Sequence, residues 1–156
     1  MLIRCGCDIV SLEHFASRYE SGGERLLQRI MDEKELKISQ GKVESMAGLF
    51  AAKEAFAKAL GCGLMAQGSP GFKDILIRKT PRNAPYYLWT DNLAKLIPAL
   101  EIPVYNQESS TITYWSGLAL DSASLSISHD GGLALAFAVL SLDDNNAVIV
   151  SGERAE

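Results

Sequence analysis

Nowhere does the chain stay apolar for the roughly 18 residues that a membrane-spanning helix needs. Charge or glycine interrupts each apolar stretch well before that, so no membrane span is expected. The opening MLIRCGCDIV places Asp8 where the apolar part of a secretory signal would have to run, and no targeting signal is expected either. Cysteine is scarce. Cys5, Cys7 and Cys62 cannot all pair, and Cys5-x-Cys7 is not a zinc-ligand spacing. On an alternating strand Cys5 and Cys7 face the same way, beside Ile3 and Ile9, and read as small buried hydrophobes in a reduced cytoplasm. Positive charge is also short: 15 Lys and Arg stand against 19 Asp and Glu, a formal net charge of −4. The molecule as a whole should therefore repel nucleic acid and acidic partners, and an acidic partner would need a local basic patch. An apolar fraction of 47% and a charged fraction of 22% exclude disordered and fibrous classes. The length of 156 residues suits one domain over 1–156.

What is present mixes strand and helix signals. Leu2 to Val10 reads as a strand, in which Gly6 lets something approach the backbone closely. Leu12 to Tyr19 reads as a short helix stopped by Gly22-Gly23, and Leu26, Leu27, Ile30 and Met31 mark further helical turns. Asp32, with Glu35 three positions on, has the spacing of a helix cap. The longest helix is expected from about Lys42 to Leu60, without proline, rich in alanine and ended by Gly61-Cys62-Gly63. Ile75 to Arg78 and Tyr86 to Thr90 read as strands around the turn at Pro81 to Pro85. Asp91 to Ala99 has helical spacing that Pro98 cuts short. Ala123 to Ser128 and Leu133 to Leu142 read as a hairpin around Asp130-Gly131-Gly132. Both element types occur without strict alternation, so the class is α+β.

On the long helix, side chains rotate by roughly 100° per residue. Met46, Leu49, Phe50, Phe56 and Leu60 then share one apolar arc, while Glu54 and Lys58 stand together on a neighbouring face with Ala47 and Ala51. In isolation such a pair is a solvated surface ion pair. The alanines beside it leave room for a sheet or ligand, and Lys53 falls inside the apolar arc, where a lysine must snorkel outward along its packed stem.

The blocks GCDIV, ERLLQRIMDEKEL, AGLFAAKEAFAKALGCG, GFKDILI and SISHDGGLALAFAVL follow one another in an order that resembles the holo-acyl-carrier-protein synthases, a family of 4'-phosphopantetheinyl transferases. They cover the chain to about Thr90 and again from Ser124 to Leu140. The resemblance implies a phosphopantetheinyl transferase-like fold, with an antiparallel-rich sheet packed on one long helix. It implies transfer of 4'-phosphopantetheine from coenzyme A to a serine of an apo-acyl carrier protein, with release of 3',5'-ADP. Asp8 and Glu54 would hold Mg²⁺, a cation that takes few carboxylates and completes its shell with water and substrate phosphates. Lys58 would stabilise pyrophosphate oxygens, and Glu54, or a metal-bound water acting with it, would serve the carrier serine as base. Lys53, Gly61, Ser128 and His129 would contact coenzyme A. The family also resembles homotrimers with sites between neighbouring subunits, and its members are cytoplasmic.

Three departures stand out. Leu49 occupies the place where the family usually carries arginine, so Lys53 or Lys42 would have to compensate. Asn83-Ala84-Pro85 replaces the usual Gly-Lys-Pro turn. The stretch from Asp91 to Ser122, with Tyr114-Trp115, is longer than the pattern, and Ala147 to Val150 could add a strand or a subunit contact. For an acidic carrier, the candidate basic patch is Arg18, Arg25 and Arg29. His14 reads as surface. Two other functions compete: a magnesium-dependent nucleotide hydrolase, and a non-catalytic coenzyme A-binding or assembly module. The first lacks a phosphate loop, since neither Gly61-x-Gly63 nor Gly68 to Gly71 has that spacing. The second has no use for Asp8, Glu54 and Lys58 together.

Overall fold

Alternation over Leu2–Ser11 makes a ten-residue strand, β1, whose inner face is Leu2, Arg4, Gly6, Asp8 and Val10. The computed structural model describes residues 1–154. After β1 come three helices, α1 (Leu12–Ile30), α2 (Glu33–Ser39) and α3 (Val43–Leu60). A two-stranded ribbon follows, β2 (Ile75–Lys79) and β3 (Pro85–Trp89), then α4 (Asp91–Leu96), β4 (Ile102–Asn106) and β5 (Thr111–Ser116). The chain continues through β6 (Ala119–Asp130), β7 (Leu133–Asp143) and β8 (Val148–Arg154). Its sheets have the orders β1-β7-β6, β2-β3 and β4-β5-β8, and each pairing is antiparallel. The class is α+β, as the sequence indicates.

The long helix lies across the inner face of β1 and β7. Small residues permit this. Ala51, Ala52, Ala55 and Ala59 of α3 and Ala134, Ala136 and Ala138 of β7 are wholly buried, so helix and sheet meet almost backbone to backbone. Met46, Leu49, Phe56 and Leu60 are buried as expected, whereas Phe50 is only half-buried. The Tyr87 hydroxyl reaches the Ala52 carbonyl at 2.7 Å, and its ring meets Phe56 edge-on. The Asp32 cap forms with reciprocal bonds: the Glu35 N–H donates to Asp32, and the Asp32 N–H donates to Glu35.

Most of the expected elements form, and one expectation, the burial of Cys5 and Cys7, needs correction. The helix beginning at Leu12 is broken at Gly23 (φ 59°, ψ −155°), a conformation glycine tolerates, and helix resumes beyond it to Ile30, so α1 is two helical segments. The helix at Asp91 ends at Leu96, and Ile97–Ala99 forms a 3-10 turn. Cys5 and Cys7 face the same way, yet they are exposed, because the core lies on the opposite side of β1. Their side of the sheet also exposes Ile3, Ile9, Leu133, Leu135 and Phe137. The tail strand forms as β8, paired with β5, so the divergent middle and the C-terminal segment belong to one sheet.

Candidate functional site

Gly6 is the crossing point of β1 and α3: a β-carbon there would sit 2.1 Å from the Ala55 carbonyl oxygen. The approach seats Arg4 and Asp8, its neighbours on the inner face, against the helix. Arg4 was missed in the sequence. Its guanidinium donates to Ala59 O (3.0 Å) near the helix C-terminus and to Pro103 O (2.7 Å), pinning β4 alongside. On the other side, Asp8 accepts from Lys58 Nζ at 2.8 Å.

Asp8 and Glu54 both line a groove of about 290 Å³. Phe15, Leu26, Ile30 and Phe50 wall the groove, and His14 and Arg18 also line it. Burial pushes the Glu54 carboxyl above its ordinary value, and the negative charge of Asp8 adds to the shift against the pull of Lys58. The hydrogen bond to Asp8 raises the proton affinity of the Lys58 ammonium, outweighing desolvation, with further help from the charges of Asp8 and Glu54. Two carboxylates that repel one another in a half-buried groove are a fit for a hard divalent cation, which would relieve that repulsion. Among the described residues no cluster of three His, Cys, Asp or Glu forms a complete metal cage. Mg²⁺ needs none, since it shares its shell with water and phosphates.

Elsewhere along α3 a second cleft of about 160 Å³ is lined by Leu49, Lys79, Asn83, Pro85, Ile127 and His129. His129 Nε2 lies 2.8 Å from the Glu44 carbonyl oxygen. A carbonyl can only accept, so Nε2 carries the proton and Nδ1 remains for another partner. Gly48 makes room for the imidazole, as a β-carbon there would meet Nε2 at 2.7 Å. The cation beside Leu49 is Lys79, another residue that sequence reasoning missed. Its only signal was its place at the end of β2, just before the turn.

Lys53, Gly61 and Ser128 line neither of these two clefts. Lys53 does not snorkel. It is wholly buried, and its ammonium donates to Glu35 Oε2, Ile30 O and Phe72 O, each at 2.8 Å, so all three hydrogens are spent. Gly61 is the left-handed stop of α3 (φ 80°), with its N–H on the Lys58 carbonyl, and a β-carbon there would meet Pro103 at 3.2 Å. Ser128 points to the outer side of the sheet, beside Ile9, Leu133 and Leu135, and not into the His129 cleft. Arg25 and Arg29 are exposed on α1 beyond the kink, while Arg18 belongs to the groove.

A family model described as the 4'-phosphopantetheinyl transferase superfamily matches residues 4–114. Curated relatives include the holo-[acyl-carrier-protein] synthase of Sulfurovum sp., 36% identical over 141 residues, or 90% of this chain and 98% of that one. The enzyme of the same name from Campylobacter curvus is 38% identical, covering 87% and 98%. Among solved structures, the Helicobacter pylori holo-[acyl-carrier-protein] synthase in complex with coenzyme A has a TM-score of 0.69 at 30% identity. That match covers 88% of this chain and 99% of the other.

Proposed function

The chain belongs to the holo-[acyl-carrier-protein] synthases of the 4'-phosphopantetheinyl transferase superfamily, and from that premise we propose that it transfers 4'-phosphopantetheine from coenzyme A to a serine hydroxyl of an apo-acyl carrier protein. The serine oxygen bonds to the phosphorus that bears pantetheine, the pyrophosphate P–O bond breaks, and 3',5'-ADP leaves. The observation that carries this reading is the grouping of Asp8 and Glu54, which both line the groove, with Lys58, whose ammonium reaches Asp8 at 2.8 Å. Glu54, whose side chain lines the groove, takes the serine proton. Lys58, charged and with about half of its side chain exposed, offsets charge on the pyrophosphate oxygens. Asp8 and Glu54 are the residues that would hold Mg²⁺, which when bound supplies positive charge against the charge developing on the phosphates.

The nucleotide end of coenzyme A suits the second cleft. Leu49 and Pro85 offer apolar walls to a base, Lys79 a positive charge, and His129 Nδ1 a polar contact. The exposed apolar face of β1 and β7, with five large hydrophobes each at least 38% exposed, supports assembly as a homotrimer. On this reading Ser128 lies on a subunit interface. The enzyme works in the cytoplasm; among the described residues no helix is long and apolar enough to cross a membrane.

Intact mass spectrometry of an apo-acyl carrier protein incubated with coenzyme A, Mg²⁺ and the protein tests the reaction. A gain of one phosphopantetheine is expected. Binding of coenzyme A with no mass gain would leave a non-catalytic binding module instead.

A further inference from the structure

Lys53 and Glu35 form an ion pair in which neither side chain has exposed surface. Beyond the three bonds of Lys53, Glu35 Oε2 accepts from the Asp32 N–H at 2.9 Å and Oε1 from the Ile77 N–H at 2.7 Å. One pair therefore ties the end of α1, the start of α2, the Phe72–Asp74 turn and the middle of β2 to α3. It does so at the residue next to Glu54. Both carbonyls held by Lys53 belong to residues that shape the groove. Ile30 is part of its wall. Phe72 stacks on Phe50 with ring centres 5.5 Å apart, and Phe50 meets Phe15 at 5.9 Å.

A buried pair of this kind is a weak source of stability, because desolvation offsets the attraction and apolar residues of similar volume often do as well. Burial pulls the Lys53 ammonium below its ordinary value, and Glu35 holds against that pull. What the pair offers beyond an apolar filler is direction: three bonds of fixed geometry from one atom. We propose that Lys53 and Glu35 are positioning residues for the carrier substrate, setting the separation of α1 and α3 and with it the width of the groove through which the serine reaches Glu54. This rests on the transfer reaction proposed above.

The test compares wild type, Lys53→Met, and the double variant Lys53→Met with Glu35→Gln, by steady-state kinetics on both substrates and by thermal unfolding. The single variant leaves Glu35 charged and unpaired and serves as the stability control. In the double variant no charge is stranded. The side-chain amide introduced at position 35 can still accept from the Ile77 N–H, and the methionine fills the space of the lysine stem, but nothing donates to Ile30 and Phe72. The double variant is expected to unfold as cooperatively as wild type and to keep its KM for coenzyme A within about twofold. It should lose about tenfold or more in kcat/KM for the carrier, since small misplacements of a reacting group are costly. Full carrier kcat/KM in the double variant would overturn the proposal, as would a comparable rise in the KM for coenzyme A or a failure to fold. Each would make the pair a structural filler. A wild type that transfers nothing removes the reaction and this proposal with it, whereas an active wild type isolates the positioning question.

Discussion

Gly6 of β1 and Ala55 of α3 touch backbone to backbone, so closely that a β-carbon on residue 6 would lie 2.1 Å from the Ala55 carbonyl oxygen and 2.5 Å from the Ala59 nitrogen. Neither atom can give way without unwinding the helix. Gly6→Ala should therefore push α3 off the sheet and cost about 3 kcal/mol or more, as overpacked cores do. It should also part Asp8 from Lys58. Thermal unfolding and transfer activity measured together check this, and a variant with wild-type melting and turnover would show that the strand and helix are not so tightly apposed.

Asp8→Ala and Glu54→Ala should each abolish transfer while leaving the fold intact, because both side chains face the groove and not the core. Calorimetric titration with Mg²⁺ in the presence of coenzyme A should lose its binding signal in both variants. Full turnover in either would remove that carboxylate from the reaction.

Lys79 stands beside Leu49 in the second cleft. Lys79→Ala should raise the KM for coenzyme A about tenfold and change the carrier KM little, since the loss concerns binding of an anion. Leu49→Arg should partly rescue Lys79→Ala. An unaltered coenzyme A KM in Lys79→Ala would place the phosphates elsewhere.

Arg25 and Arg29 are both exposed on the second half of α1. With a net charge of −4 the protein needs such a patch to meet an acidic carrier. Charge reversal at both, Arg25→Glu with Arg29→Glu, should raise the carrier KM many-fold and spare that for coenzyme A. The wild-type carrier KM should also climb with salt, because exposed charges are screened over about 10 Å at 0.1 M. Indifference to both would move docking off this helix.

Burial works to raise the Asp32 carboxyl, but the Glu35 N–H and the Arg78 guanidinium outweigh it and hold the group below its ordinary value. A depressed carboxylate stabilises the fold above its unfolded pKa, and that contribution disappears as pH falls through the folded value. The melting temperature should thus drop below about pH 4, and the drop should be shallower in Asp32→Asn, which has no charge to lose. Identical pH slopes in the two proteins would mean that Asp32 contributes nothing through its charge.

Local pattern alone determined much of this protein. The run of alanines closed by Gly61 made α3 legible, and helical spacing set Glu54 and Lys58 one turn apart. Strand alternation put Asp8 and Gly6 on one face of β1, and Asp32 with Glu35 announced the cap. These features depend on neighbours within a few residues, which is the range over which hydrogen-bonding and side-chain periods act. The same alternation separates Ser128 from His129, since adjacent strand residues face opposite sides. Only the tertiary structure decided which side of β1 is inside, and so left Cys5 and Cys7 exposed. It alone turned Lys53 inward to Glu35, 18 residues away, and brought Lys79 to Leu49 and Arg4 to Pro103. A helical period locates a side chain on a face, but what covers that face comes from distant chain. For a buried lysine, the acceptors waiting there decide whether the charge can stay.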